Sequence, residues 1–194
     1  FFIWNGGMSF HGGLIGVIFA TYLFSKKHKI DKYIFLDLIS LAAPIGIFFG
    51  RIANFINSEL YGKETDIFWS VKFIAVDNVP RHPSQIYEAI FEGIILFILL
   101  NYAAKKYTFN KAGVISSLFL IFYSIFRFSI EFFRVPDPQL GYIISNFSQG
   151  QLISIVFLIF GIYLFSIKNG LKKTIDWFSD TNNLSKYKTS IFNV

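Results

Sequence analysis

The sequence predicts an all-α integral membrane protein with about five transmembrane helices. Three observations carry this. Of its 194 residues, 54% are hydrophobic and only 15% are charged, where a soluble globular domain averages about 25% charged. The apolar residues gather into five runs, near 9–25, 33–55, 85–104, 112–133 and 149–167, each close to the roughly 20 residues that cross a bilayer as a helix. Lysines concentrate between and after the runs rather than within them.

Each run must be helical, because backbone groups in lipid have no water to bond to. The first closes on Lys26, Lys27, Lys29 and Lys32. The second, apolar from Tyr33 to Phe49, reaches Arg51 at its far end. His82-Pro83 precedes the third and suits a helix start, where a proline's missing N–H costs nothing. The fourth, Val114–Phe133, contains Arg127, and Pro136 and Pro138 mark its end. The fifth opens on the polar Ser148-Gln149-Gly150-Gln151. This divides the chain into a membrane domain, 1–167, and a polar basic tail, 168–194.

Loop lysines set an orientation. Segments 26–32 and 104–111 and the tail from Lys168 alternate with the spans so that all three fall on one side, which the rule makes cytoplasmic. The net charge of +6 therefore reads as topology signal, not as a nucleic-acid surface. All four arginines, Arg51, Arg81, Arg127 and Arg134, fall on or near the opposite, outer side. A guanidinium is a planar fork that matches phosphate or carboxylate, whereas an ammonium is a point charge. The outer half is thus expected to hold an anion site. Cysteine is absent, which excludes disulfides and thiolate nucleophiles or ligands on the protein itself. The chain opens on Phe1 in mid-pattern, with no cleavable leader in view, and is expected to be a fragment lacking its natural N-terminus.

An arginine at membrane depth is costly and must pair, meet water or bind an anion. In Gly50–Gly62, Arg51 and Asn54 share a helix face, with Glu59 and Gly62 where the helix should leave the membrane. Snorkelling accounts for Arg51 alone, not for an Arg, two Asn and a Glu together. In Tyr123–Asp137, Tyr123, Arg127, Glu131 and Arg134 are spaced as one helix stripe. There, Glu131 can neutralise Arg127, orient it, or both. In Asn5–Gly16, His11 stands among glycines and can move a proton near neutral pH, although close helix packing also explains the pattern. On the third span Gln85, Glu88 and Glu92 share a face. The histidines His11, His28 and His82 have no zinc spacing.

Together these segments resemble the bacterial prolipoprotein diacylglyceryl transferase family. The resemblance rests on Gly-Gly-Met-Ser-Phe-His-Gly-Gly-Leu-Ile-Gly (6–16), Gly-Arg-Ile-Ala-Asn-Phe-Ile-Asn-Ser-Glu-Leu-Tyr-Gly (50–62) and Arg-His-Pro-Ser-Gln-Ile-Tyr-Glu (81–88). It continues through 123–139 and 148–154. It implies a seven-helix fold of which the first two helices are missing here, in the bacterial inner membrane, with the active site toward the periplasmic face. It implies transfer of a diacylglyceryl group from phosphatidylglycerol to the lipobox cysteine of a preprolipoprotein signal peptide, releasing glycerol 1-phosphate. The partners are then phosphatidylglycerol, that peptide and membrane lipids, with no nucleic acid, metal or redox cofactor. By the same resemblance, Arg51 holds phosphate and Arg127 neutralises the leaving phosphate. Asn54, Glu59 and Gly62 shape the headgroup pocket; Tyr123, Glu131 and Arg134 support it. His11 is the candidate proton acceptor for the substrate thiol. Two other classes compete: an anion transporter, which predicts a through path and often internal repeats, and a lipid-binding scaffold without chemistry.

Overall fold

The computed structural model describes residues 10–107, 111–136, 142–144, 147–168, 170 and 177. The helices are α1 (Phe10–His28), α2 (Lys32–Ile56), α3 (Ser84–Glu88), α4 (Leu96–Tyr107), α5 (Val114–Ile130) and α6 (Gln149–Lys168). A π-helical segment, Ala89–Ile95, joins α3 to α4, so that Ser84–Tyr107 is one continuous rod. Two short hairpins complete the order. Strand β1 (Val71–Lys72) pairs antiparallel with β2 (Pro80–Arg81), and β3 (Tyr142–Ile144) pairs antiparallel with β4 (Phe147–Ser148).

Three rods have the length and composition to cross a membrane: Lys32–Ile56, Ser84–Tyr107 and Gln149–Lys168. Val114–Ile130 is equally apolar but shorter. Their outward faces carry exposed Ile98, Tyr102, Val156, Ile159 and Tyr163, a surface suited to lipid rather than water.

The interior divides along the rods. At the lysine end, Leu96, Leu100 and Ile115 are fully buried, with Leu41, Ala103 and Phe119 packed against them. Here Asp37 of α2 caps α5: its carboxylate accepts from Gly113 N at 2.7 Å and Ser116 N at 2.8 Å. At the arginine end the buried groups are polar, and include Gln85, Glu88, Glu92, Ser124, Glu131, Arg134 and Gln151. Gly93 lets the π segment lie on α2, since a Cβ there would sit 2.8 Å from the Phe48 Cβ.

The fourth span differs in one respect from its sequence reading. α5 stops at Ile130, with Glu131 as C-cap, and 131–133 form a turn. The stripe Tyr123–Arg127–Glu131 is helical, but Arg134 lies beyond it in an antiparallel bridge with Gly62. Prolines 136 and 138 therefore did not set the end. The backbone left the helix earlier to pair with 61–63, where Lys63 N donates to Phe133 O at 2.9 Å and Val135 N to Tyr61 O at 3.3 Å.

Candidate active site: an arginine–carboxylate centre at the head of an apolar groove

Arg51 sits five residues before the end of α2, 17% exposed at its side chain. It faces the third rod, where Glu88 and Glu92 are both 0% exposed. Its Nε lies 3.1 Å from Glu88 Oε2 and its Nη2 3.4 Å from Glu92 Oε2. Arg127 reaches the same carboxylates from α5: its Nη1 pairs with Glu88 Oε1 and stands 3.9 Å from Glu92 Oε1. Arg127 Nη2 meets Glu131 Oε2 at 2.9 Å. Arg134, carried in by the turn, places Nη1 3.6 Å from Glu88 Oε1. Among the described residues three guanidinium groups thus face three carboxylates, and their formal charges balance.

The arrangement follows from local sequence. Glu88 and Glu92 stand on either side of the start of the π segment and point to one side of the rod. π turns inside α-helices recur at functional sites because they widen one turn and re-aim side chains. Glu131 is held from the other side by α6. Ser148 and Gln151 cap that helix reciprocally: Ser148 N donates to Gln151 Oε1 at 3.1 Å and Gln151 N to Ser148 Oγ at 3.3 Å. This is a capping box. Ser148 Oγ also donates to Glu131 Oε1 at 2.9 Å. Gly150 allows the contact, because a Cβ there would stand 2.9 Å from that oxygen. The polar residues at 148–151 are thus a helix start, and one that orients a site carboxylate.

On its other flank Arg51 opens onto a groove of about 1,070 Å³. Arg51, Asn54 and Tyr123 line its head, and Ile18, Leu36, Ala43, Ile47, Phe119 and Phe157 are among the apolar residues below. Lys32 and Tyr33 lie at its opposite end. Arg127 is not among the lining residues; it stands behind Arg51, across Glu88. Tyr123 stacks on Phe119 with ring centroids 5.6 Å apart.

The remaining site candidates are placed as follows. Gly62 is buried in backbone pairing: its N donates to His82 O at 3.0 Å, and a Cβ would lie 2.3 Å from that oxygen. It also forms an antiparallel bridge with Arg134. Glu59 has an exposed side chain, while its carbonyl accepts from Gln85 Nε2 at 2.6 Å. His11 falls within the α1 backbone, but its side chain lies outside the described residues. Sequence reasoning put Glu88 and Glu92 on one face without assigning them to the site. The available signal was charge balance, since three arginines at membrane depth require counter-charges.

The loop above the centre, 57–83, is tied by Arg81. Its Nε donates to Asp77 Oδ1 at 3.1 Å and its Nη2 to Asp77 Oδ2 at 2.6 Å. That fork holds the Asp77 carboxyl below its usual range and raises Arg81. Burial lowers the His82 imidazole from its ordinary value. His82 Nδ1 is 3.2 Å from the Tyr87 hydroxyl, which accepts from Trp69 Nε1 at 2.7 Å.

Fold and site together define a helical membrane protein with a buried guanidinium–carboxylate centre heading an apolar groove. Residues 1–167 match the family described as prolipoprotein diacylglyceryl transferase, and the chain belongs to that family. Its relatives include proteins named phosphatidylglycerol–prolipoprotein diacylglyceryl transferase. That of Rickettsia akari is 51% identical over 167 residues, covering 86% of this chain and 64% of the relative. That of Rickettsia bellii is 54% identical over 162 residues, covering 83% and 62%. That of Rickettsia rickettsii is 49% identical over 167 residues, covering 86% and 64%. The chain thus spans somewhat under two thirds of the length of the curated relatives it matches.

Proposed function

We propose that the chain carries the reaction centre of a phosphatidylglycerol–prolipoprotein diacylglyceryl transferase. The observation that carries this reading is Arg51 at the head of an apolar groove of about 1,070 Å³. An anionic headgroup on apolar tails needs that combination: a fork for the phosphate and a dry channel for acyl chains. All five helical rods cross the membrane in this reading. α5, the shortest at 17 residues, is lengthened by the turn after it. The lysine end faces the cytoplasm, and the arginine end faces the periplasm across the bacterial inner membrane.

The substrate peptide brings the thiol. Its sulfur attacks the glyceryl carbon bonded to phosphate oxygen; the carbon–sulfur bond forms and the carbon–oxygen bond breaks. Glycerol 1-phosphate leaves with the bonding pair. Arg51 grips the phosphate, and Arg127, behind it, stabilises the charge that grows on the leaving group. Preorganised charge in a site closed to water is commonly a large share of catalysis. Asn54 and Tyr123 border the headgroup. Gly62 and Glu59 fix the loop above it, while Glu131 and Arg134 hold Arg127 and Glu88 in place. His11 accepts the thiol proton. The test is incubation of the full-length protein with phosphatidylglycerol and a lipobox peptide, followed by peptide mass. Addition of one diacylglyceryl group to the cysteine is expected. An unmodified peptide in the presence of folded, lipid-bound protein overturns the assignment.

A further inference from the structure

We propose that Glu92 is a displaceable counter-ion, which takes up one proton from solvent when the phosphate of an anionic lipid replaces it on Arg51. The inference rests on the proposed lipid binding and adds a role for a carboxylate not assigned one above.

Among the described residues the centre is already balanced before any ligand arrives. Arg51, Arg127 and Arg134 offset Glu88, Glu92 and Glu131. A phosphodiester carries one negative charge, so its arrival leaves the buried set one negative charge in excess. An unpaired carboxylate out of water is unfavourable and neutralises instead.

Geometry selects which carboxylate responds. Glu88 is held by three arginines: Arg51 Nε at 3.1 Å, Arg127 Nη1, and Arg134 Nη1 at 3.6 Å. Glu131 has Arg127 Nη2 at 2.9 Å, the Ser148 hydroxyl at 2.9 Å and the start of α6. Glu92 is the weakly held member, with Arg51 Nη2 at 3.4 Å and Arg127 Nη1 at 3.9 Å. It is nonetheless fully buried. Its nearer partner is a terminal nitrogen of Arg51, the cluster arginine that lines the groove. The groups around it are Arg51 from α2, Arg127 and Tyr123 from α5, and Glu88 one turn earlier on its own rod. When the Arg51 fork turns to phosphate, Glu92 keeps only Arg127, already shared with Glu88 and Glu131. Protonation converts its carboxylate to a neutral acid and restores zero net charge. Lipid binding should therefore strengthen as pH falls toward neutrality, and weaken as it rises.

The experiment is calorimetric titration of the full-length, detergent-solubilised protein with short-chain phosphatidylglycerol near neutral pH. It is run in buffers of different ionisation enthalpy, which gives the protons taken up per lipid bound. The expected result is a net uptake of up to one proton per lipid bound. In Glu92→Gln the uptake should vanish and the lipid affinity should become flat with pH. A merely structural Glu92 would not produce that change in proton count. Phosphatidylglycerol binding with no proton uptake by the unaltered protein overturns the inference and leaves the proposed function standing. Uptake that persists in Glu92→Gln also overturns it, by assigning the proton to another group. No binding of phosphatidylglycerol by folded protein overturns the proposed function itself.

Discussion

Arg51 works through its shape as much as its charge. One edge of the guanidinium engages Glu88 and Glu92, and the same residue lines the groove. Arg51→Lys keeps the charge but lacks the planar fork that can hold Glu88 while exchanging Glu92 for a phosphate. Its kcat/KM should fall by about 10²–10³-fold, the scale on which one preorganised donor is lost. Near-normal turnover in folded Arg51→Lys would remove the fork from the mechanism. Gly150 offers a test at a distance from substrate. In Gly150→Ala the new Cβ meets the Glu131 carboxylate at 2.9 Å, so Glu131 must leave Ser148 and loosen Arg127. Overpacking of this kind costs about 1–3 kcal/mol. The variant should melt earlier and lose kcat more than lipid affinity, and an unchanged kcat would detach Glu131 from Arg127 function. For the candidate base, His11→Gln should lower neutral-pH activity by about 10²-fold or more, with partial recovery at high pH as the substrate thiol ionises unaided. Full activity at neutral pH would leave the arginines as sole activators of the thiol.

At the scale of elements, much of the fold was legible because lipid demands long apolar helices. The run boundaries near 33–55, 85–104 and 149–167 lie within a few residues of Lys32–Ile56, Ser84–Tyr107 and Gln149–Lys168. Arg51, Arg127, Glu131 and Arg134 were legible as a group because charge at membrane depth stands out against Ile and Phe. What sequence did not carry was tertiary. The early end of α5 depends on pairing between 61–63 and 133–135, far apart in the chain. The Asp37 cap depends on a helix start 76 residues away. The π segment alters the angular relation of Glu88 to Leu96 with no proline to announce it. Two predictions belong here. Asp37→Ala removes both acceptors at the α5 start and should cost about 1–2 kcal/mol, the usual range for a lost helix cap. Thermal unfolding in detergent reads this, and an unchanged midpoint would mean solvent replaces the cap. Deleting one residue within 89–95 should turn the helix after it by about 100°. Either the carboxylates or Leu96 and Leu100 then leave their partners, so loss of activity or of folding is expected; a fully active deletion would show that the widened turn is dispensable.

For the molecule as a whole, single cysteines at Lys29 and Lys106 should resist an impermeant thiol reagent in intact cells, and one at Lys72 should react. Labelling at Lys29 but not Lys72 would invert the orientation. Acid should loosen the loop above the centre. Burial lowers the His82 imidazole, so its contribution to stability is present above the ordinary histidine value of about 6.5 and is lost as pH falls through the depressed value. His82→Gln should flatten that acid limb of the melting profile, and an identical limb would clear His82. The alternation of charge around the centre also bears on synthesis. Arg51 emerges from the ribosome first, then Glu88 and Glu92, then Arg127, Glu131 and Arg134. The running sum of the cluster goes from one positive charge to zero, to one negative, to zero, to one negative, and back to zero. Each charged span after the first meets a partner of opposite sign among the spans before it, and the cluster is never more than one charge out of balance. The order of residues along the chain thus suits stepwise delivery, with each charge of the buried cluster arriving within one charge of balance.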